Sequence, residues 1–159
     1  MFTDAERGAM IDDIAALPAL AAQAIDGLDD AQLDTTYRDG GWTLRQVLHH
    51  LADSHINAYI RSRFFLTEEH PTLMAYDQDR WAALVDASTA PVEDSLILLG
   101  GLHHRWTQLL RSLAASDWTR TAHHPENGDM VLDDILRIYS NHGKHHVRQI
   151  TQARERNGW

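Results

Sequence analysis

Histidine is unusually abundant in this sequence. The chain has 159 residues, of which 11 are histidine and none is cysteine. Neutral imidazole is a common ligand of divalent metal ions. The absence of cysteine excludes disulfides, a cysteine nucleophile and thiolate-bound metals. A single lysine, Lys144, is the one candidate for Schiff-base chemistry. Histidine therefore carries most of the chemistry that this composition allows.

His142 and His146 form the strongest candidate site, because they lie four residues apart in a segment with helical periodicity. Two histidines at this spacing share one face of a helix and can bind one metal ion. At about 100° per residue, both fall inside or at the edge of the apolar face. That face is formed by Leu132, Ile135, Leu136, Tyr139 and Ile150. The pattern predicts either an inward-facing metal site or a pair of histidines in the core or in a dimer interface.

A second histidine-rich segment offers a third ligand, but its periodicity does not single out one residue. His55 lies near the centre of the apolar face, whereas His50 lies on a flank with Asn57 and Arg61, and Asp53 lies further round. A polar flank can border a cleft between helices or face water. A helical wheel of this segment alone favours a flank that faces water, with His55 as a hydrogen-bonded core histidine. Both His50 and His55 remain possible metal ligands.

Four long helices are predicted to position these residues. They span residues 4–26, 43–66, 91–114 and 131–156, and a short helix is predicted at 77–85 within the connection 69–90. Pro18 is expected to kink or split the first helix, because an interior proline removes a backbone hydrogen bond. No sustained alternation predicts a strand, and Asn127-Gly128 is assigned to a polar loop. The prediction is an all-α four-helix bundle, one domain over 1–159, with a long crossover connection between the second and third helices.

Charge and hydropathy narrow the classes of partner. The formal net charge is −9, which disfavours nucleic acid because phosphate binding needs a clustered positive surface. No apolar run approaches the roughly 20 residues that span a bilayer, and the first residues lack the pattern of a secretory signal. We therefore expect a cytoplasmic protein that binds neither nucleic acid nor membranes.

Five segments together resemble a known family. They are Gly41–His55, Leu66–Glu68, Leu102–Trp106, His124–Glu126 and His142–His146, and in order and spacing they are similar to the YfiT-like proteins of the DinB superfamily. The resemblance implies a four-helix bundle, a homodimer, and one divalent metal ion per chain bound by His50, His142 and His146. On this point the resemblance favours His50 over His55.

The resemblance also implies an enzyme. Activities in this superfamily include the transfer of low-molecular-weight thiols of the bacillithiol type to electrophilic substrates, and many members are described only as metal-dependent hydrolases. We expect zinc or nickel, both of which imidazole suits. A thiol has to come from a small-molecule cosubstrate, because the chain has no cysteine. Asp53, Asn57 and Arg61 are candidates to orient the reactants.

Two alternatives and two departures accompany this expectation. The alternatives are a hydrolase in the strict sense and a non-catalytic stress protein that binds metal or another ligand. Relatives often have tryptophan where Asn141 stands and a further histidine where Gln149 stands. These departures leave the expected ligands intact but put the shape of the pocket and the substrate in question.

Overall fold

A computed structural model describes all 159 residues. Its elements, in chain order, are α1 (Asp4–Ile25), α2 (Asp30–Leu33), α3 (Leu44–Thr67), α4 (Gln78–Ala82), α5 (Val85–Ser88), α6 (Glu93–Arg111), β1 (Thr121–His124), β2 (Gly128–Val131) and α7 (Leu132–Asn157). The long helices α1, α3, α6 and α7 form a four-helix bundle, which confirms the predicted fold class. Two short helices, α4 and α5, occupy the long connection where one was predicted.

Each long helix packs against two others. α1 and α3 each contact both α6 and α7, so α1 and α3 lie on one diagonal of the bundle and α6 and α7 on the other. The long connection that contains α4 and α5 joins two neighbouring helices, α3 and α6. These helices run parallel, because His49 contacts Ser95 near the start of both and Ser62 contacts Trp106 towards the end of both, so the connection returns along the bundle as the predicted crossover. The bundle is crossed by the connections from α1 to α3 and from α6 to α7.

The interior of the bundle is divided along its axis. Two apolar clusters of 14 buried residues each fill its ends. One cluster takes Ala58 of α3 and Leu136 of α7, and the other takes Leu48 of α3 and Ile150 of α7. Five histidines lie between the clusters, and we call them the histidine layer: His50, His55, His103, His142 and His146.

Local signals fix the start of α3 and the end of α7, the two helices that carry the site. Thr43 caps α3 by accepting a hydrogen bond from the backbone of Gln46, whose side chain accepts one from the backbone of Thr43 in return. α7 ends at Gly158, whose φ of 75° is the left-handed conformation that favours glycine. Within α7, a Cβ at Gly143 would lie 2.7 Å from Leu17 Cδ2, so this glycine allows α1 to approach the helix that carries His142 and His146.

Pro18 was expected to kink or split the first helix, and the split is wrong, because α1 runs unbroken through Pro18. Pro18 has no N–H to donate to the carbonyl of Ile14, one turn earlier. The Nδ1 atom of His103 lies 2.5 Å from that carbonyl oxygen and takes the missing donor's place. A histidine of α6 thus compensates for a proline of α1.

The prediction of no strands is also wrong. β1 and β2 form an antiparallel hairpin, with Gly128 at a φ of 74° beside the turn. β1 alternates between exposed and buried residues, but one of its two buried residues is the polar His124, so the apolar pattern of the sequence does not reveal the strand. The hairpin is held from outside, since Leu73 N donates to His123 O and His123 N donates to Pro71 O.

α1 is long and apolar enough to cross a membrane by length and composition alone. In the fold, its apolar side chains Ile11, Ile14, Leu17 and Ala21 are buried in the bundle interior. This helix thus has the properties of a core helix of the bundle.

Candidate metal site

Three histidines from two helices converge in the histidine layer. His50 comes from the first half of α3, and His142 and His146 lie one turn apart on α7. One ring nitrogen from each lies within 4.8 Å of the others. His50 Nε2 is 3.3 Å from His142 Nε2, close to the roughly 3.4 Å expected between two ligands of a tetrahedral zinc ion with bonds of about 2.0–2.1 Å. The residues therefore fit a three-histidine metal site.

The electrostatics of the three rings also suit metal binding. Burial lowers the pKa of His50 to about 3, that of His142 to about 2 and that of His146 to about 4, and neighbouring histidines add to each shift. All three rings are therefore neutral at pH 7, the form in which imidazole binds a metal. No carboxylate belongs to the cluster, so its donors are three uncharged nitrogens.

Hydrogen bonds to the far ring nitrogens orient two of these histidines. His146 Nδ1 lies 2.7 Å from Gln149 Oε1, which leaves Nε2 of His146 free. His142 Nδ1 lies 3.2 Å from His55 Nε2. A metal held by Nε2 of His142 would leave the Nδ1–H of that ring to donate to His55 Nε2. Such outer partners fix the tautomer and orientation of metal ligands.

His50 is buried, and the aromatic ring of Trp42 lies 4.7 Å from it. Trp42 is anchored in turn, because its Nε1–H donates to Asp79 Oδ1 at 3.1 Å. The structure therefore contradicts the solvated flank predicted for α3, since both His50 and Arg61 are buried. The error arose because a helical wheel describes one helix and cannot show that α7 covers that flank.

His55 is fully buried, as its position on the wheel predicted, but it is only partly hydrogen-bonded. Its ring stacks on that of His103 with centroids 4.8 Å apart. His55 Nδ1 and His103 Nε2 are both buried without a hydrogen-bond partner. Burial lowers the pKa of both rings, and the neighbouring histidines lower that of His55 further, so both rings are neutral at pH 7. His55 thus contacts His142 on the side of its ring that faces away from His50.

The other candidates on α3 have separate environments. Asn57 Nδ2 donates to the backbone oxygen of Asp53. Burial and the charge of Asp86 raise the pKa of Asp53. Neither side chain lines the clefts beside the histidines, whereas Arg61 does.

Two clefts open beside the cluster, and His142 lines both. The larger has a volume of about 610 Å³ and is lined mainly by α3, α7, the connection before α4 and the hairpin. The smaller, of about 530 Å³, is bordered by Trp42, His146 and Gln149. The larger cleft also contains Tyr76, His124 and Tyr139, which sequence reasoning did not assign to a site. Tyr139 was identified only as a core residue, and no local signal marked Tyr76.

Comparison with known proteins identifies the family. Residues 13–150 match the sequence model of the DinB superfamily. The chain belongs to the DinB superfamily. Two DinB relatives, one from Oceanobacillus iheyensis and YfiT from Bacillus subtilis, each carry the name "putative metal-dependent hydrolase". Both are 48% identical to this chain, over 94% of it and 86% of the first relative, and over 90% of it and 81% of YfiT.

The solved structure of YfiT shares the DinB fold of this chain. The two structures align with a TM-score of 0.97 and 44% identity, over 100% of this chain and 91% of YfiT. YfiT is described as a probable metal-dependent hydrolase with an unusual four-helix bundle topology. The likeness confirms both the four-helix bundle and the resemblance to YfiT-like DinB proteins that the sequence motifs indicated.

Proposed function

We propose that this DinB protein is a metal-dependent enzyme that binds one divalent ion through His50, His142 and His146. The observation that carries the proposal is the convergence of three neutral imidazoles at the edge of a cleft of about 610 Å³. Three protein ligands leave a coordination position open for water or a substrate. The names of the relatives support the same general function.

A divalent ion at this site would supply a Lewis acid that lowers the pKa of a water or thiol coordinated to it. The chain's own residues hold and orient the ligands. Gln149 and His55 fix the rings of His146 and His142, and Trp42 covers His50. Tyr139 packs against His142 with ring centroids 5.5 Å apart and lines the larger cleft.

Activation of a low-molecular-weight thiol is the reaction that we favour over hydrolysis. Hydrolysis by a metal-activated water benefits from a carboxylate that acts as general base. Two acids line the larger cleft: Asp77 caps α4 by accepting from Arg80 N, and Glu126 is exposed. Neither belongs to the histidine cluster. A thiol needs no such base, since a coordinating thiol is deprotonated by the metal itself. The thiolate of the cosubstrate would form a bond to the electrophilic carbon of the substrate as the bond to the leaving group breaks, and the leaving group would take up the proton that the thiol lost.

The test measures metal content and turnover on the same preparation. Protein purified without chelators is analysed for zinc and nickel and then assayed with a panel of biological thiols and an electrophile, and separately with esters and amides. We expect about one ion per chain and metal-dependent consumption of the electrophile in the presence of thiol. Turnover of esters or amides without thiol would instead support the hydrolase. Metal binding without any turnover would support a non-catalytic binding protein, and the absence of bound metal would refute the proposal.

A further inference from the structure

Arg61 is one of three buried arginines, and it differs from the other two in its partners. Arg7, Arg45 and Arg61 are 6%, 4% and 9% exposed. Arg7 forms two hydrogen bonds of 2.8 Å to the carboxylate of Asp133. Arg45 contacts two carboxylates at 2.7 and 2.8 Å. No carboxylate lies within ion-pair distance of Arg61, so its guanidinium is the buried arginine charge that the chain leaves uncompensated.

The contacts of Arg61 leave part of its hydrogen-bonding capacity unused. Its Nη2 donates to Met74 O at 2.5 Å, and its Nη1 makes a long contact of 3.4 Å to Tyr139 Oη. Its Nε is buried without a partner. A guanidinium has five N–H donors, and burying one without an anionic partner is unfavourable. An arrangement of this kind is expected where a ligand completes the pairing.

The position of Arg61 connects this charge to the histidine cluster. Arg61 and His142 line the same cleft of about 610 Å³. Tyr139 lies between them, because its hydroxyl contacts Arg61 and its ring packs against His142. A small molecule bound to Arg61 by one end therefore has its other end beside the metal ligands.

We propose that Arg61 binds a carboxylate of the substrate or of the thiol cosubstrate and so positions the reacting end at the histidine cluster. The role of that reacting end rests on the function proposed above, whereas the binding of the carboxylate does not. The planar guanidinium matches a carboxylate with two parallel N–H donors. A phosphate dianion fits less well, because Asp77 and Glu126 line the same cleft and Arg61 is its one arginine or lysine.

The test uses the metal-free protein, so that its result does not depend on the metal. Propionate and the isosteric, uncharged propionamide are each titrated while the arginine Nε–H and backbone amide signals are followed by NMR. We expect propionate to shift the Arg61 Nε–H signal and the amides of Tyr76 and Tyr139, with an affinity at least about tenfold above that of propionamide. Equal affinity for the two probes, or binding of neither, would overturn the proposal.

Variants separate binding from a purely structural role. Arg61→Gln is expected to abolish the preference for propionate, Arg61→Lys to keep part of it, and the exposed neighbour Arg63→Gln to keep all of it. If Arg61→Gln fails to fold, the wild-type titration and Arg61→Lys still decide the question. If Arg61 only fastens the segment around Met74, the variants will change the melting temperature but not the preference between probes. A metal titration of the same samples tests the proposed function separately.

Discussion

The apolar clusters at the two ends of the bundle and the histidine layer between them are built in opposite ways. In the clusters, large side chains such as Leu48 and Leu136 are completely buried, and the indole N–H of Trp106 donates to Ser62 Oγ at 3.1 Å. In the middle of the bundle, His55 Nδ1 and His103 Nε2 are buried without partners. The third such atom in the chain, Arg61 Nε, belongs to the adjoining cleft.

This difference indicates which region stabilises the fold and which region carries the free-energy cost of unpaired polar groups. Burying apolar side chains is the main favourable contribution to folding. A buried polar group without a partner costs about 1–3 kcal/mol. The chain concentrates all of these costs beside one site, and none lies within the apolar clusters. We infer that the free energy gained by burying the apolar clusters offsets the cost of the unpaired polar groups in the histidine layer.

Removing the central ligand should have the largest effect. His142→Ala is expected to reduce the affinity for a divalent ion by more than about 100-fold, beyond the range for the loss of an outer partner. His142 is central because its Nε2 faces His50 and its Nδ1 faces His55. Calorimetric titration with zinc measures the change, and the exposed His104→Ala is the control. Equal affinity in wild type and His142→Ala would show that the three histidines are not the metal site.

A substitution in an apolar cluster should have the opposite profile. Leu136→Ala removes a fully buried side chain six residues before His142, and should destabilise the protein by about 2–5 kcal/mol. Its affinity for zinc, measured where the variant is folded, should stay within a few-fold of wild type. Urea unfolding gives the stability. A large loss of metal affinity would mean that the cluster and the histidine layer are not separate regions.

His50 and His55 provide a closer comparison, because both are buried histidines of α3. His50→Ala should abolish the rise in melting temperature on adding zinc. His55→Ala should keep a smaller rise, with zinc affinity reduced about 10–100-fold because His142 loses its outer partner. It should also lower stability by about 1–3 kcal/mol through lost packing. If His55→Ala loses the rise and His50→Ala keeps it, the resemblance has directed the ligand assignment to the wrong histidine.

The sequence predicted the four long helices because their periodicity and caps are local signals. The Thr43–Gln46 capping box and the stop at Gly158 both lie where the pattern indicated. The spacing of His142 and His146 likewise placed them on one helical face. Which histidine of α3 joins them depends on how α3 packs against α7, and periodicity within one helix holds no information on that packing. Only the family resemblance favoured His50, the one that the structure brings to the pair.

The features that the sequence did not predict all depend on contacts between distant segments. The hairpin is held by residues 71–73, and Tyr76 reaches the cleft because the connection before α4 folds over α3 and α7. The compensation of Pro18 by His103 joins residues 85 positions apart, by way of the Ile14 carbonyl. Local propensity includes none of these contacts.

The pH dependence of the metal-free protein should distinguish the histidine layer from the clusters. The pKa values of His50, His142 and His146 are lowered in the folded state to about 3, 2 and 4. In the unfolded chain they are near 6.5, so below that pH the unfolded chain binds more protons than the folded protein. Stability should therefore be fully present above about pH 6.5 and fall by about 1 kcal/mol or more as the pH is lowered towards 4.

Urea unfolding at several pH values measures this slope. His142→Ala should show a shallower fall between pH 6.5 and 4, because it removes one of the three histidines whose pKa is lowered in the folded state. The exposed His104→Ala should show the wild-type slope. A wild-type protein whose stability is flat over this range would mean that the three rings take up protons as readily when folded as when unfolded.

The smallest expected effect is that of Gln149, which lies at the edge of the histidine layer. Gln149 Oε1 accepts from His146 Nδ1, and its Nε2 lies 3.0 Å from His145 Nε2. Because Gln149 is partly exposed, water can replace a lost acceptor, so Gln149→Met should weaken zinc binding by only about tenfold, the lower end of the range for outer partners. Gln149→Glu keeps an acceptor and should bind zinc at least as tightly as wild type. His145→Ala should leave the affinity unchanged, since it removes only the exposed partner of Gln149.

¹⁵N NMR of the metal-free protein should show that His146 loses its single tautomer in Gln149→Met. If the tautomer of His146 and the zinc affinity both stay unchanged in Gln149→Met, the orientation of His146 is set by packing and does not depend on its hydrogen bond to Gln149.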